Sequence, residues 1–378
     1  MLVLPNSPDH IKFGSFILLL ATGLAITQIS HLSSWKAQLN LGLSLLFMWF
    51  LMKVVGVVPS ELGELAWRAV FLKLPFLLFP ILMISWKPNI EERNKLLDLF
   101  LIGCLVAVVS SLFYAGFRTI SLMDLKYLTY SNLSPFLDPA YLGMYLNFAL
   151  FLVIRKFHVG QTKTLNWLMF ILFTIFLMLL LSRTAILLFL VNLVYFAYLL
   201  IIKSRWQLFL SLTVLVLLAS TSVMQNERAV ARVKSLADII YLDKSQLQEN
   251  SFGLRLLVWN SSFQILKDNL WLGVGSGAEK SALALQFEKD NLKRPLIENY
   301  NTHNQFLQTG IAHGIPGLTL FLIALFFPLY LGFKTRNLKL VAFISLCIVS
   351  FFTESMLERQ AGVFFFAMFY SLMLSKLD

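Results

Sequence analysis

The contrast between one polar stretch and the apolar runs that flank it decides the fold. The stretch begins QNERAVARVK (225–234), continues through SFGLRLLVWNSSFQILKDNLWLGVGSGAEK (251–280) and ends ENYNTHN (298–304). It holds 10 of the chain's 31 Lys and Arg and 9 of its 20 Asp and Glu. The apolar runs on either side are about 20 residues long, which is enough to span a bilayer. We therefore expect 225–304 to form an extramembrane cap between membrane helices.

The composition of the remaining chain is that of a membrane protein. Of 378 residues, 58% are hydrophobic and only 13% are charged, and the mean hydropathy is +0.75. Soluble domains carry about a quarter charged residues. Runs of this length also exceed the strands of an outer-membrane barrel, which are about 10 residues long. The chain is expected to be an all-α polytopic membrane protein, with Cys104 and Cys347 packed as small apolar side chains.

The apolar runs predict eleven transmembrane helices. They cover 13–29, 39–58, 65–84, 96–117, 139–155, 165–181, 184–202, 207–224, 305–333, 340–353 and 360–375. A broken or additional helix between residues 39 and 84, where Lys53, Arg68 and Lys73 interrupt the apolar pattern, would make twelve. The predicted organisation is thus 1–224 (about eight helices), a cap at 225–304, and 305–378 (about three helices).

The net charge of +11 is explained by short basic loops rather than by a nucleic-acid partner. These loops carry Arg155, Lys156 and Lys163; Lys203 and Arg205; Lys334, Arg336 and Lys339. They fall on one side if the helices alternate, and an excess of Lys and Arg marks the cytoplasmic side. The cap then faces the opposite, external side, and we expect no nucleic-acid binding.

Two helices are predicted inside the cap, the first over 227–241. In the second, Leu256, Trp259, Phe263, Leu266 and Leu270 recur every three or four residues and form one apolar stripe. Such a helix is expected to lie on the membrane helices or in the interface. Arg255 falls at the edge of the stripe, about 60° from its centre at 100° per residue. It either snorkels to the interface or directs its guanidinium into a pocket between cap and membrane.

The glycines at 273, 275 and 277 follow this second helix. With Ala278 they satisfy a loose dinucleotide-binding pattern, but no predicted strand precedes them. A helix stop with a tight turn is the favoured interpretation, and a backbone cradle for phosphate is the alternative.

His303 stands where the cap re-enters the membrane. It is either an exposed, neutral surface residue or a group that titrates near neutrality and acts as a general base. Gly310, Gly314, Pro316 and Gly317 follow it and predict a broken or re-entrant start of the next helix.

Arg183 is held in a very short connection between two apolar runs. A cation in such a place usually has an anionic partner, from the protein or from a ligand. Glu354, Glu358 and Arg359, between the last two spans, include candidate partners. The alternative is a solvated turn with local ion pairs.

Together these motifs resemble the O-antigen ligase and O-antigen polymerase superfamily of bacterial inner membranes. In chain order they are D-P-A-Y (138–141), S-R-T (182–184), G-L-R-L-L-V-W (253–259), D-N-L-W-L-G-V-G (268–275) and H-N (303–304) with G-x-x-x-G-x-x-G after it. The first resembles a His-Pro-x-Tyr element of the group, but Asp138 replaces the histidine, so it is assigned no role. The resemblance extends from about residue 138 to 361.

The resemblance implies a metal-independent, inverting glycosyltransferase of the GT-C type that needs no cofactor. Its donor would be a glycan on undecaprenyl diphosphate, and its acceptor a sugar hydroxyl at the periplasmic face of the bacterial inner membrane. Carried over by motif, His303 would be the catalytic base, and Arg183 and Arg255 would bind the diphosphate. Asn304, Glu354 and Arg359 are expected to support the site.

The acceptor distinguishes the members of this superfamily. An O-antigen ligase transfers the glycan to lipid A core in lipopolysaccharide biosynthesis, whereas a polymerase transfers it to a second carrier-linked glycan. The complete His-Asn and loop-arginine pattern favours a ligase, with the polymerase as the alternative and a protein-glycosylating relative as a third option. A lipid-linked oligosaccharide flippase or exporter is the alternative of another class, and a structural membrane protein is the last. Gathering of Arg183, Arg255 and His303 at one external face would favour catalysis.

Overall fold

The computed structural model describes residues 41–60, 62–202, 247–248 and 251–375. Every regular element in these residues is helical, as the composition predicts. The predicted spans 13–29 and 207–224 and the predicted cap helix 227–241 lie outside the described residues.

The described helices fall into a group before the cap and a group that includes it. The first group is α1 (Leu41–Val55), α2 (Gly63–Leu72), α3 (Pro75–Trp86), α4 (Ile90–Leu122), α5 (Pro139–His158), α6 (Thr164–Leu179) and α7 (Arg183–Ile202). The second is α8 (Ser251–Asp268), α9 (Glu279–Lys289), α10 (Lys293–Ile297), α11 (Gln305–Lys334), α12 (Leu338–Thr353) and α13 (Gln360–Leu374). Short 3-10 turns occur at Leu125–Leu128, Tyr130–Asn132 and Met356–Glu358.

Four stretches of the described chain are long and apolar enough to cross a membrane. They are Gly63–Trp86, Ile90–Leu122, Pro139–His158 and Gln305–Lys334. Shorter apolar helices occur at Leu41–Val55, Thr164–Leu179, Arg183–Tyr198, Leu338–Thr353 and Gln360–Leu374. By length and composition these helices indicate a polytopic membrane protein. The first of the four is divided into α2 and α3 at Lys73 and Leu74, within the region 39–84 where a broken or additional helix was the alternative to the predicted eleven spans.

Local sequence fixes several helix starts. Asn89 and Glu92 form a capping box before α4, in which each side chain accepts from the other's backbone N–H at 2.9 and 2.8 Å. Asp138 caps α5 by accepting from the N–H of Ala140 at 3.0 Å, and Pro139 occupies the first helical position. Asp138 therefore has a structural function in this chain.

Contacts divide the described chain into two compact units, one of residues 94–202 and one of residues 41–93 with 247–375. In the first unit α5 packs against α6 and α7. The buried amide of Asn147 donates to the carbonyls of Gly143 and Ala185 at 2.8 and 3.0 Å, and Asn192 donates to Asn147. These bonds satisfy polar groups that would otherwise be unpaired in an apolar interior.

The second unit contains α11 and the described cap helices α8, α9 and α10. Its helices α1, α3, α11, α12 and α13 pack around a core of buried aromatic rings. Trp49 contacts Phe76 and Phe321 with ring centroids 4.7 and 5.2 Å apart. The buried hydroxyl of Tyr370 donates to the carbonyl of Ala324 on α11 at 2.9 Å. These contacts attach the later part of α11 to the aromatic core.

The cap helix α8 packs through a face that differs from the predicted one. Its buried side is formed by Leu254, Val258 and Ile265, and the last two belong to a cluster with Leu283, Phe287, Leu292 and Ile311. Of the predicted stripe, Leu266 is buried, whereas Leu256, Phe263 and Leu270 are exposed. The helix has apolar residues on two faces, and α9 and α11 pack against the face that contains Val258 and Ile265.

Candidate functional site

Asn304 fixes the start of α11 and thereby the position of His303. The Asn304 side chain accepts from the N–H groups of Phe306 and Leu307 at 2.9 and 3.1 Å, which makes it an N-cap. The Asn304 amide donates to the carbonyl of Phe352 at 3.4 Å. Asn304, which was predicted to support the site, is buried. It orients the start of α11 rather than facing the site.

The backbone of His303 is held in the left-handed region, with φ of 47°. Its N–H donates to the Asn301 side chain at 2.9 Å. The preceding Thr302 is buried and accepts at its carbonyl from the indole of Trp259 on α8 at 3.0 Å. A non-glycine residue in this region is strained unless its surroundings hold it. These bonds supply that restraint and leave the imidazole 24% exposed.

The imidazole of His303 meets the carboxylate of Glu354. Nδ1 lies 3.0 and 2.9 Å from the two carboxylate oxygens. Glu354 follows α12 directly, and the N–H of Ser355 donates to it at 3.3 Å. A carboxylate on Nδ1 fixes the ring and favours the tautomer in which Nε2 carries the free lone pair. Nε2 is then the nitrogen that can take a proton from a ligand.

Arg255 of α8 reaches the same carboxylate. Its Nη1 donates to the carbonyl of Thr353 at 2.9 Å, and its Nη2 lies 3.8 Å from Glu354. The side chain is 31% exposed. A guanidinium has five N–H donors, and the Thr353 bond uses one of them. We refer to His303, Glu354 and Arg255 as the His303 cluster.

The charges of the cluster set the protonation of Glu354. Burial by itself would raise the pKa of this carboxyl group. The hydrogen bond and charge of His303, the charge of Arg255 and the N–H of Ser355 oppose that effect, and the net pKa lies below its usual value. Glu354 is therefore an anion at neutral pH and stabilises positive charge on the imidazole.

Tyr300 is a member of the site that the sequence analysis did not single out. Its ring lies 5.2 Å from the His303 ring at an interplanar angle of 78°. Partial burial, together with a hydrogen bond to Glu298, raises the pKa of Tyr300, so its phenol stays neutral. An aromatic edge-to-face contact of this kind limits rotation of the imidazole.

A second group of charges lies deeper and was also missed. Lys73, between α2 and α3, has an exposed fraction of 1%, and its Nζ donates to the carbonyl of Leu357 and lies 3.2 Å from Glu358. The Gln305 amide donates to the same Glu358 oxygen at 3.3 Å. We refer to Lys73, Glu358 and Gln305 as the Lys73 cluster. The interruption of an apolar run by Lys73 was the available signal, but nothing in the sequence identified its partner.

Burial opposes the ionisation of Glu358 and would raise its pKa. The charges of Lys73 and Lys53 and the Gln305 bond outweigh burial, so the net pKa of Glu358 is lowered. The nearby Glu279 of α9 behaves in the opposite way, because burial and the charge of Glu358 raise its pKa. Glu358 is thus stabilised as an anion, whereas the ionisation of Glu279 is disfavoured.

The glycine-rich turn after α8 closes a break in α11. The predicted break is confirmed at Gly314, whose φ of 63° and ψ of −162° interrupt the helix. The N–H groups of Val274 and Gly275 donate to the carbonyls of Ile311 and Ala312 at 2.8 and 3.0 Å. Two carbonyls at the break are therefore satisfied by the turn.

The same turn also binds the segment after α1. The N–H of Ser276 donates to the carbonyl of Gly56, and its hydroxyl donates to the carbonyl of Lys53, each at 2.7 Å. At Gly275, with φ of 88°, an added Cβ would lie 2.7 Å from the N of Ser60. Three consecutive N–H groups of the turn are thus bound to backbone carbonyls, so the phosphate-cradle alternative is wrong for these groups.

The remaining predicted residues lie elsewhere. Arg183 is the first residue of α7, and only three residues separate it from the end of α6, as the sequence predicts. It belongs to the unit of residues 94–202, so its meeting with Arg255 and His303 stays a prediction. Arg359 is exposed and directly precedes α13. Its supporting role also stays a prediction.

The matched family agrees with the motifs. Residues 168–322 match the model of the family described as O-Antigen ligase. A search among curated proteins gave no match. The matched stretch contains Arg183, Arg255 and His303, whereas Glu354 and Lys73 lie outside it. The match confirms the resemblance that the motifs carry over residues 168–322, which are less than half of the chain.

Proposed function

We propose that this protein is a glycosyltransferase that moves a glycan from an undecaprenyl-diphosphate carrier to a sugar hydroxyl on lipid A core, as an O-antigen ligase. The observation that carries the proposal is the pairing of His303 Nδ1 with Glu354 beside Arg255. This arrangement supplies a base with a fixed tautomer and a cation next to it. The family match supports the same class of reaction and leaves the acceptor open.

The proposed reaction is a single displacement at the anomeric carbon. Nε2 of His303 removes the proton from the acceptor hydroxyl, whose oxygen forms the new bond to the anomeric carbon. The bond from that carbon to the diphosphate oxygen breaks on the opposite side, which inverts the configuration. The imidazolium that forms is stabilised by the Glu354 carboxylate 2.9 Å away.

Stabilising the leaving diphosphate is the second requirement. Arginine suits this task because its planar fork of donors matches phosphate oxygens and remains charged at all relevant pH values. Arg255 has donors left beyond its bond to Thr353. We assign it to the diphosphate together with Arg183, which the S-R-T motif nominates. In this proposal the two guanidinium groups take the place of a metal ion.

The proposed orientation puts the His303 cluster at the periplasmic face. His303 precedes the first residue of α11, and the basic loop with Lys334, Arg336 and Lys339 follows the last. A loop rich in Lys and Arg is typical of the cytoplasmic side. Residues 315–334 of α11, after the break at Gly314, extend about 30 Å at 1.5 Å per residue, which matches the hydrocarbon core of a bilayer, so we place the two ends of α11 on different sides.

The test is a deletion of the gene with complementation, read on a polysaccharide gel. A ligase deletion leaves bare core and accumulates unligated, carrier-linked polymer. Wild-type protein and a variant of the exposed His158, His158→Ala, should restore polymer on core, whereas His303→Ala should not. Core that bears a single repeat in the deletion strain would indicate a polymerase instead. Full activity of membrane-inserted His303→Ala would disprove the assigned chemistry, and accumulation of glycan on the cytoplasmic side alone would favour a flippase.

A further inference from the structure

Lys73 is a buried cation whose ammonium group bonds to the turn after Glu354. Among the described residues, its Nζ bonds are to the carbonyl of Leu357 and the carboxylate of Glu358. A lysine inside a membrane segment destabilises the protein unless an anion or hydrogen-bond acceptor pairs with it. Because it is buried, Lys73 does not contribute to solubility, and its partners indicate its role.

The Lys73 cluster fastens both chain segments that form the His303 cluster. Gln305 lies two residues after His303, and its side chain accepts from the N–H of Leu357 at 2.7 Å while it donates to Glu358 at 3.3 Å. Its exposed fraction is 0%. One side chain thus joins the start of α11 to the turn that follows α12.

Further bonds join the same two segments nearer to His303. The Ser355 hydroxyl lies 2.9 Å from the Thr302 hydroxyl, and it accepts from the N–H of Asn304 at 3.2 Å. Both Thr302 and Ser355 have exposed fractions of 0%. The segments around His303 and Glu354 are therefore joined on their buried side, with the Lys73 cluster at the far end of the contact.

The turn between Glu354 and Glu358 is short enough to transmit a displacement. The N–H of Met356 donates to the carbonyl of Glu354 at 2.9 Å, and the N–H of Glu358 donates to the carbonyl of Ser355 at 3.1 Å. These bonds form a compact 3-10 turn, Met356–Glu358. A shift of Glu358 will therefore move Glu354 relative to His303.

We propose that Lys73 is a positioning residue, which holds the Glu354 carboxylate against His303 through Glu358 and Gln305. The inference rests on the proposed function, because it assigns a purpose to the His303–Glu354 pair. Lys73 is not expected to contact either substrate. The charges of Lys73 and Lys53 keep the pKa of Glu358 low despite burial, which is consistent with an ion pair at neutral pH. In this proposal Lys73 is coupled to Glu354 through the ion pair and hydrogen bonds described above.

The test compares Lys73→Met with Lys73→Arg in purified full-length protein. The donor is carrier-linked glycan extracted from the deletion strain, and the acceptor is core from that strain. We expect Lys73→Met to lower kcat by about 10–100-fold, as for loss of a hydrogen bond to a charged group, with KM for the donor changed less than about twofold. Lys73→Arg should recover part of kcat. Arg68→Met, which removes the exposed Arg68–Glu64 ion pair on α2, is the matched control and should leave kcat unchanged.

A double-variant comparison separates positioning from general damage. If Lys73 acts through Glu354, then Lys73→Met adds at most about threefold to the loss caused by Glu354→Gln. If the fold-loss of kcat in the double variant equals the product of the two single losses, the inference is overturned. An unchanged kcat in Lys73→Met would overturn it as well. If Lys73→Met does not fold, Lys73→Met/Glu358→Gln removes the unpaired buried charge, and the same comparison is made in that background.

The result also distinguishes this inference from the proposed function. Activity in His303→Ala would overturn the proposed function and the inference with it. Inactive His303→Ala together with independent effects of Lys73 and Glu354 would overturn the inference alone.

Discussion

The His303 cluster and the Lys73 cluster are made of similar ion pairs but differ in exposure. The side chains of His303 and Arg255 are 24% and 31% exposed, whereas Lys73 is 1% exposed; the carboxylates Glu354 and Glu358 are similar, at 17% and 20%. In the first cluster a ring nitrogen and guanidinium donors are therefore open to a ligand, and in the second the cation is enclosed by protein groups. The difference agrees with the two proposals, in which the first cluster performs the chemistry and the second sets its geometry. It also predicts that the two will respond differently to substitution.

The largest effect is expected at Arg255. Arg255→Ala removes a cation from the proposed leaving group and should lower kcat/KM by about 10²–10³-fold, as for loss of one charge-stabilising donor. Arg255→Lys keeps the charge without the planar fork and should recover only part of the loss. Glycan transfer by purified protein measures both. Lys289→Ala, at the last residue of α9 in the same cap, removes an exposed cation and serves as the control. Equal, small effects of the three variants would contradict the functional difference between the clusters.

A smaller loss is expected at Glu354. Glu354→Gln keeps the size of the side chain but removes the charge opposite the imidazole, so kcat should fall by about 10–100-fold. Because the pKa of Glu354 lies below its usual value, the carboxylate stays charged as the pH falls from 8 to 5. Infrared difference spectra between wild type and Glu354→Gln should therefore show no protonated carboxyl band from Glu354 in that range. The appearance of such a band above pH 5 would show that Glu354 is not held as an anion.

The local parts of both clusters could be predicted from sequence, and their pairing could not. The position of His303 at a helix start follows from the apolar run after it, and the break in α11 follows from Gly314 and Pro316. Those features depend on neighbouring residues. The contact between His303 and Glu354 joins residues 51 apart, and Lys73 reaches the carbonyl of Leu357 across 284 positions. Such contacts depend on how the helices pack, which no single periodic pattern specifies.

The cap helix α8 illustrates the same limit within one element. The sequence places Arg255 on a helix, and the structure has it there. Of the predicted stripe of Leu256, Trp259, Phe263, Leu266 and Leu270, three residues are exposed and Leu266 is buried. The opposite face of α8 packs against Leu283 and Phe287 of α9 and Ile311 of α11. Periodicity identifies the helix, and a second element selects its buried face.

The glycine-rich turn after α8, which contacts the segment after α1, can be tested by its effect on stability. An alanine at Gly275 would have φ of 88° and a Cβ 2.7 Å from the N of Ser60. Gly160 is a matched control, because its φ is 84° but an added Cβ meets no atom within 4 Å. Both alanines are strained, and only the first overlaps backbone. Gly275→Ala should therefore lower the free energy of unfolding by about 1–3 kcal/mol more than Gly160→Ala. Equal losses of the free energy of unfolding, measured in detergent, would mean that the turn adjusts to the added methyl group and does not hold the helices together.

The smallest effect is expected at Glu279, and its sign depends on pH. Burial and the charge of Glu358 raise the pKa of Glu279 in the folded protein above its unfolded value of about 4.5. A raised pKa contributes stability that is fully present below the unfolded pKa and is lost as the pH rises through the folded pKa. Glu279→Gln does not ionise and escapes this loss. Its melting temperature relative to wild type should therefore rise as the pH is increased from 5 to 8.

The same measurement separates Glu279 from Glu358, which lies in the same buried region. The folded pKa of Glu358 is lowered, so its charge adds stability above the unfolded pKa. Glu358→Gln should therefore be less stable than wild type at pH 8, and the difference should shrink as the pH falls below about 4.5. The melting temperature relative to wild type should therefore rise with pH above pH 5 for Glu279→Gln and fall with pH below about pH 4.5 for Glu358→Gln, so the scan is extended below pH 4.5. These opposite slopes would identify Glu358 as the anion that pairs with Lys73. Parallel slopes would mean that the two carboxyl groups share their charge, and the Lys73–Glu358 pair would then be the wrong anchor for Glu354.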